Sequence, residues 1–372
     1  MKNISKILIF LALTASFTSC SDDVCVPGKG LKDVTITKKS GNLTELTHKF
    51  LKATGEFVVT QKMPLIHADE VYENLSDYLV IDLRSHDEYV EGHINGALNS
   101  SIENIVEFME ANVAANAYKK VVLACHTGQS AGYVAGMLRT IGYNNIYVMK
   151  WGMNGWSNKF PNKWGANISN KLANKLEKKE NPKNKEGEFP VMESKDTLAS
   201  AIIEDRAKTI LKKGWKDATI SLSELQKDPS KYYIVNYWPK ERYEYGHLKG
   251  AVQYTPHHDF RLDGKLNTLP TDKTIVVYCY TGQYASYTVA YLRILGYNAK
   301  TLTFGANGFM HSTLIDKGWA PFTADEAANT FPSISGENPT NAKAAVVSSK
   351  TQPPKKKKVV KRKKKAVSGG CG

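Results

Sequence analysis

The sequence predicts an α/β protein in which one domain of alternating strands and helices occurs twice. The first observation is an internal repeat, since eleven of twenty positions are identical between residues 125–144 and 279–298. The second is that short, mostly apolar runs of strand length, such as 120–124 and 274–278, alternate with segments of helical spacing. Such runs are typical of strands buried on both faces of a parallel sheet, and their alternation with helices indicates βαβ units.

The individual elements follow from the same patterns. Strands are predicted at 78–82, 120–124, 145–149, 232–236, 274–278 and 300–304. Helices are predicted at 102–115, 130–141, 197–213 and 284–295. Gly142 stands where a helix C-cap belongs. Residues 167–188, rich in Asn, Lys and Glu, are expected to form a solvated loop or a frayed helix.

Length and composition fit a globular protein of two domains. The chain has 372 residues, of which 42% are hydrophobic and 23% charged, so it can bury two cores without disulfides. Five scattered cysteines without a CxxC pair predict neither a disulfide framework nor a structural zinc site. Residues 355–365 supply nine of the net +14 charges, and the remaining balance is +5. No cofactor, no metal and no nucleic-acid partner are therefore expected.

The N-terminus, residues 1–19, is interpreted as a lipoprotein signal peptide. A positively charged start precedes an apolar run, 7–15, that is shorter than the about 20 residues needed to span a bilayer. Residues 17–20 then resemble a lipobox, with Cys20 as the lipidated first residue of the mature chain. The alternative is a buried N-terminal helix. We expect a protein anchored by lipid in the bacterial cell envelope, extracytoplasmic and either periplasmic or surface-facing.

The chain divides into six segments on these patterns. They are the signal peptide 1–19, a lead-in 20–63, a first domain 64–162, a linker with a packing helix 163–217, a second domain 218–320, and a disordered lysine-rich tail 321–372 that ends in SGGCG.

The chemistry is predicted at Cys125 and Cys279. Each cysteine ends an apolar strand and opens a Thr-Gly-Gln loop that runs into a helix. Backbone N–H groups and the helix dipole converge there, which favours a thiolate or an anion carried on sulfur. Gly128 and Gly282 give the loop the freedom to curl around such an anion. The alternative is a buried structural cysteine after a core strand.

Each repeat resembles a rhodanese-like domain, and the chain resembles a tandem rhodanese. The match is carried by Asp82-Leu83-Arg84, Glu88-Tyr89, Gly92-His93-Ile94, Gly96-Ala97, the Cys125 loop and residues 152–156. The resemblance implies a parallel sheet of about five strands in each domain. It also implies a sulfurtransferase in which the loop cysteine takes a sulfane sulfur, becomes a persulfide and passes the sulfur to cyanide or a thiol.

The resemblance further assigns roles to the residues around the cysteines. Asp82 and Arg84 are expected to support the first loop. The backbone amides expected to cradle the outer sulfur belong to His126, Thr127, Gly128, Gln129 and Ser130 in the first copy, and to Tyr280, Thr281, Gly282, Gln283 and Tyr284 in the second.

Departures from the family pattern leave alternatives open. The second copy has Asn236-Tyr237-Trp238 in place of Asp-Leu-Arg, yet it keeps its cysteine, so both copies are expected to carry sulfur. Neither loop contains Lys or Arg, and a polysulfide or persulfide donor is as plausible as thiosulfate. The alternative function is a non-catalytic sulfur- or anion-binding module of the envelope, the second domain especially. A Cys-x5-Arg phosphatase is disfavoured because Ala131 and Ala285 occupy the arginine position.

The basic C-terminus is expected to contact anionic lipid or an envelope polymer, or else to be a solvated tail. Cys371 follows it on a Gly-rich tether and is interpreted as a sulfur acceptor or an attachment point.

Overall fold

The computed structural model of the chain describes residues 43–54, 56–113, 117–196 and 198–337. The segment containing Cys20 and the lysine-rich run with Cys371 lie outside these residues, and so do the predictions made for them. Across the described part of the chain, no helix is long and apolar enough to cross a membrane.

Each repeat forms a five-stranded parallel sheet, as predicted. The first sheet consists of β1 Leu65–Ile66, β2 Tyr78–Asp82, β3 Leu98–Asn99, β4 Lys120–Ala124 and β5 Ile146–Met149, in the order β1-β5-β4-β2-β3. The second consists of β6 Thr219–Ile220, β7 Tyr232–Asn236, β8 Val252–Gln253, β9 Thr274–Tyr278 and β10 Ala299–Leu302, in the order β6-β10-β9-β7-β8. The cysteine-bearing strands β4 and β9 are the central strands, so both cysteines emerge from the middle of a sheet.

Helices flank both sheets. Those before and within the first domain are α1 Leu43–Thr54, α2 Phe57–Thr60, α3 Ala68–Glu73, α4 His86–Glu91, α5 Ile105–Asn112, α6 Gln129–Thr140 and α7 Met153–Trp156. The linker and the second domain contribute α8 Ala199–Leu211, α9 Gly214–Asp217, α10 Leu222–Lys227, α11 Lys240–Tyr245, α12 Gln283–Ile294 and α13 His311–Lys317. The linker helix α8 touches both domains, because Arg206 donates to the carbonyl of Ile294 and Lys208 pairs with Glu110.

Helices α6 and α12 pack directly on each other between the domains. A Cβ at Gly136 would lie 2.3 Å from the carbonyl oxygen of Tyr287, and one at Gly132 would lie 2.7 Å from that of Gln283. Only glycine allows backbones to approach this closely. Since both helices begin at a cysteine loop, their contact also brings the two loops together.

The linker over 167–188 is a loop of exposed and half-buried residues, as expected, but part of it also packs on the second domain. The N–H of Ser169 bonds to the carbonyl of Asn307, and that of Leu172 bonds to the carbonyl of Phe309. Further along, Glu177 forms an antiparallel bridge with His247. Leu172 and Leu176 of this polar segment are partly buried against the second core. We call residues 164–181 the first strap.

The tail was expected to be disordered from residue 321 onward, but its described residues, 321–337, pack on the protein, which corrects that boundary. Phe322 is buried beside Trp151 and Trp164. Antiparallel bridges then join Thr330 to Ser157 and Ile334 to His93. The segment 320–336, the second strap, thus returns to the first domain. Each domain is followed by a strap that packs on the other domain.

Candidate active site

Cys125 lies at the carboxyl end of β4, directly before the loop that starts α6. Its Sγ accepts a hydrogen bond from the N–H of Gly128 at 3.1 Å, and the residue is only 3% exposed. Gly128 is the N-cap of α6 with a φ of +80°, a conformation that favours glycine. The sulfur therefore sits at the N-terminal end of a 12-residue helix, where partial positive charge stabilises an anion.

The peptide unit between Thr127 and Gly128 is anchored from outside the loop. The carbonyl of Thr127 accepts hydrogen bonds from Trp164 Nε1 at 3.1 Å and from Gln283 Nε2 at 2.9 Å. Trp164 belongs to the first strap and Gln283 to the loop of the second domain. One peptide unit thus has its oxygen fixed by two donors and its N–H directed at Cys125.

The motif Trp151 to Trp156 closes the loop from the other side. Gly152 has a φ of +60°, and a Cβ there would lie 2.2 Å from the carbonyl oxygen of Cys125. The next residue, Met153, donates its N–H to that same oxygen at 2.7 Å. This close backbone contact with the cysteine loop explains why both repeats have a glycine after their last strand, Gly152 in the first and Gly305 in the second.

Asp82 and Arg84 form a buried ion pair beside β4. Arg84 Nη2 lies 2.6 Å from Asp82 Oδ2 and donates to the carbonyl of Gly92 at 2.6 Å. Asp82 is paired in the sheet with Ala124, the residue before Cys125. These contacts fix the turn after β2. The resemblance predicts that Asp82 and Arg84 support the cysteine loop, and this support would act through the pairing of β2 with β4.

A charged cluster lies next to the loop at His126. Its Nε2 is 2.6 Å from Glu88 Oε1, and Lys163 Nζ is 3.8 Å from the same oxygen. Burial opposes the charged form of Glu88, but hydrogen bonds from His126 and Ser85 outweigh it and lower the pKa of Glu88 to about 2. Burial also lowers the pKa of His126. At neutral pH the pair is thus a carboxylate that accepts a hydrogen bond from a neutral imidazole.

Lys163 was missed by the sequence reasoning, and Glu88 was recognised only as part of a motif. Glu88 lies 38 residues before His126 and Lys163 lies 37 residues after it, so no local spacing joins them. The structure gives the first site a cation that its own loop lacks.

The loop of the second domain is closed. Cys279 is 0% exposed, and its Sγ accepts a hydrogen bond from the N–H of Ala285 at 3.4 Å. The five residues Tyr280, Thr281, Gly282, Gln283 and Tyr284 are all buried. In the first loop, by contrast, His126 and Ser130 are partly exposed.

Aromatic side chains cover the second loop. The ring of Tyr280 stacks on Trp238 at 4.8 Å, and its hydroxyl accepts a hydrogen bond from Arg242 at 2.9 Å. Arg242 and Tyr280 follow Glu88 and His126 by 154 residues each. The carboxylate and imidazole of the first site are therefore replaced by a guanidinium and a phenol in the second.

The substitutions after β7 are accommodated without a buried charge. Asn236, the counterpart of Asp82, donates to the hydroxyl of Tyr278 at 2.9 Å. Trp238, the counterpart of Arg84, packs among Tyr278 and Tyr280. The second domain thus exchanges a salt bridge for aromatic packing.

The histidines of the two Gly-His motifs have structural contacts. His93 Nδ1 lies 2.8 Å from the carbonyl oxygen of Tyr89, and His247 Nδ1 lies 2.9 Å from that of Tyr243. Each imidazole also stacks on the tyrosine that it bonds. They brace the turns before β3 and β8. As to metals, the residues that the structure describes contain no cluster of three His, Cys, Asp or Glu side chains suited to an ion.

Two α/β domains, each with a central strand, a cysteine loop and a helix that starts at the loop, define the class of this protein. The sequence matches the rhodanese-like domain family over residues 67–159 and 220–320, which together are more than half of the chain. The chain belongs to this family as a tandem member, and the resemblance recognised from the motifs is confirmed.

Two curated proteins and one solved structure are similar to parts of the chain. The sequence is 30% identical over 101 residues to the thiosulfate sulfurtransferase GlpE of Pseudomonas fluorescens, a match covering 27% of this chain and 88% of that protein. It is 28% identical over 101 residues to the uncharacterised protein YibN of Escherichia coli, covering 27% and 71%. A solved thiosulfate sulfurtransferase from Pseudomonas aeruginosa is 18% identical with a TM-score of 0.26, covering 77% of this chain and 48% of that one. The sequence matches make this a sulfurtransferase-like protein.

Proposed function

We propose that the protein is a sulfurtransferase that carries sulfane sulfur on Cys125. The observation that carries this proposal is the hydrogen bond from the anchored Gly128 N–H to the Cys125 sulfur at the start of α6. A donor already directed at the sulfur stabilises a thiolate, and a persulfide anion, without reorganisation.

The reaction balances as two displacements on sulfur. The Cys125 thiolate attacks the outer sulfur of thiosulfate, the S–S bond breaks, and sulfite leaves with the electron pair. Cyanide or a thiolate then attacks the outer sulfur of the persulfide and releases the Cys125 thiolate. With a polysulfide donor the leaving group is the shortened polysulfide. No external oxidant or reductant is required.

The surroundings of Cys125 favour a polysulfide or persulfide donor at least as much as thiosulfate. The nearby cation, Lys163, lies next to the Glu88 carboxylate, which offsets its charge. The sulfonate group of thiosulfate would therefore meet little net positive charge near Cys125, whereas polysulfide and persulfide donors have no sulfonate to be held.

For the second domain, a non-catalytic role is the second candidate function. Both cysteines were predicted to carry sulfur, but Cys279 is inaccessible in a loop covered by Tyr280 and Trp238. The closed loop supports Cys125 as the site of turnover and a non-catalytic role for the second domain.

The test is release of thiocyanate by cyanide from the sulfur-loaded protein, with Cys125→Ser and Cys279→Ser as matched variants. Cys125→Ser is expected to release none, because a hydroxyl cannot hold a sulfane sulfur, and Cys279→Ser is expected to retain the activity. Intact mass after exposure to thiosulfate or to polysulfide identifies the donor, with a gain of one sulfur expected. Activity that persists in Cys125→Ser contradicts the proposal.

We further propose that lipid on Cys20 anchors the protein in the bacterial envelope and that the basic tail contacts anionic lipid or polymer. The support is the lipobox-like sequence and the nine charges of residues 355–365. Cys20→Ala is expected to release the protein from membranes. Continued sedimentation with membranes in high salt would contradict the anchor.

A further inference from the structure

We propose that Gln283, from the second domain, is a positioning residue for the Cys125 site of the first domain. It would hold the peptide unit whose N–H stabilises the Cys125 sulfur. This inference rests on the proposed function of Cys125, and it gives the second domain a part in that reaction without chemistry at Cys279.

The peptide between Thr127 and Gly128 connects Gln283 to the Cys125 sulfur. Its N–H points at the sulfur with an N to Sγ distance of 3.1 Å, and its carbonyl oxygen accepts from Gln283 Nε2 at 2.9 Å. Because a peptide is planar, fixing its oxygen fixes the direction of its N–H. A donor bound to the oxygen also polarises the peptide and strengthens the hydrogen bond that its N–H makes.

Gln283 is itself held firmly in place. Its side chain is 1% exposed, so its amide replaces water at the Thr127 oxygen. A Cβ on Gly128 would lie 2.2 Å from Gln283 Nε2, which shows how tightly the glutamine fills the space behind the loop. Ser286 Oγ lies 2.7 Å from the carbonyl oxygens of both Gln129 and Gln283 and ties the starts of the two helices together.

The relation between the two loops is not symmetric. Gln129, the counterpart of Gln283, accepts from the N–H of Phe304 at 2.7 Å and donates to the hydroxyl of Thr127. The strap donor Trp164 corresponds to Phe322, whose ring has no N–H to give. Donors from the first strap and from the second domain therefore anchor the loop of Cys125, whereas their counterparts, Gln129 and Phe322, make other contacts.

The experiment measures the rate at which iodoacetamide alkylates Cys125, followed by mass spectrometry of its peptide in the full chain. Gln283→Met keeps the length and the packing of the side chain but removes the donor. At neutral pH the rate is expected to fall by about three- to tenfold, the range expected from one hydrogen bond. Because alkaline pH favours the thiolate in both proteins, the two rates are expected to converge there.

Thr288→Val serves as the control. Thr288 is buried on the same helix, and its hydroxyl bonds to the carbonyl of Tyr284 within that helix. This variant is expected to alkylate at the wild-type rate at both pH values. Trp164→Phe removes the other donor to the Thr127 oxygen and is expected to slow alkylation at neutral pH in the same way. This variant tests the role of the Thr127–Gly128 peptide if Gln283→Met does not fold.

A neutral-pH rate in Gln283→Met equal to that of the wild type would overturn the proposal. A faster alkylation rate at both pH values would also overturn it, because that result indicates a loosened loop that exposes the thiol. Loss of the orientation of the Gly128 N–H is expected to slow alkylation only at neutral pH. Alkylation requires no sulfur donor, so this outcome is distinguishable from failure of the proposed function, which the thiocyanate assay reports.

Discussion

The buried pair of Asp82 and Arg84 gives the sharpest stability prediction. Replacing Arg84 by Leu leaves a carboxylate that is 1% exposed without its partner. It also removes the hydrogen bond from Arg84 to the carbonyl of Gly92. Breaking a buried pair from one side costs about 3–5 kcal/mol. Native domains are stable by about 5–15 kcal/mol, so Arg84→Leu should remove a large share of the stability of the first domain.

The double variant Asp82→Asn/Arg84→Leu tests the physical reason. Without a charge left in the interior, it should regain at least half of the free energy lost in Arg84→Leu. The second domain folds with Asn236 and Trp238 at these two positions, which shows that the fold tolerates an uncharged pair. The strong non-additivity is the signature of two residues in direct contact.

Urea unfolding followed by circular dichroism and by tryptophan fluorescence measures the effect, with the free energy taken from the midpoint and slope. Asp82→Asn completes the cycle. If Arg84→Leu lost less than about 1 kcal/mol, as an exposed ion pair would, or if the double variant lost the sum of the two single losses, the reasoning would be refuted.

Two further predictions concern the contacts between elements. Gly136→Ala places a Cβ 2.3 Å from the Tyr287 carbonyl oxygen and should destabilise the protein by about 1–3 kcal/mol, seen as a lower Tm; an unchanged Tm would contradict the close packing of α6 on α12. Burial lowers the pKa of His48 to about 4, so as the pH falls this imidazole is protonated in the unfolded chain before it is protonated in the folded one. Stability should then fall as pH drops from about 6.5 to 4, by up to about 3 kcal/mol, whereas His48→Phe should lack this component; identical pH profiles in urea unfolding would contradict it.

The central elements of the fold were predictable because their patterns are local. Strands β2, β4, β7 and β9 lie at the predicted positions, since each is a mostly apolar run of five residues that follows a charged residue. The edge strands β1, β3, β6 and β8 are only two residues long, which is too short for any periodicity, and none was predicted. Strand β10 ends at Leu302 instead of 304 because Phe304 adopts a φ of +62° at the following turn.

The candidate site was predictable only where its residues are neighbours along the chain. The cysteine, the glycine N-cap and the helix follow one another, so the pattern of residues 125–130 indicated them. Lys163 joins the site through tertiary folding alone. Gln283 was assigned to the loop of its own domain, but its side chain bonds to the other loop, a contact that follows from the packing of α6 on α12 and has no local signal.

The two straps meet each other between the domains. Asn154 Oδ1 accepts the N–H of Trp164 at the start of the first strap, and Asn307 Oδ1 accepts the N–H of Phe322 at the start of the second. The rings of Trp164 and Phe322 then stack on each other at 5.3 Å. The strap that leaves the first domain therefore meets the strap that returns to it.

This arrangement explains why a domain with a closed loop would be kept. Trp164 bonds the Thr127 oxygen, yet its ring is packed by Phe304 and Phe322, which follow the second sheet. Gln283 reaches the same oxygen from the second domain. Both donors that fix the peptide at Cys125 thus depend on the second domain for their position. Loss of that domain would leave Cys125 in its sequence motif but remove the support that orients the N–H bonded to its sulfur.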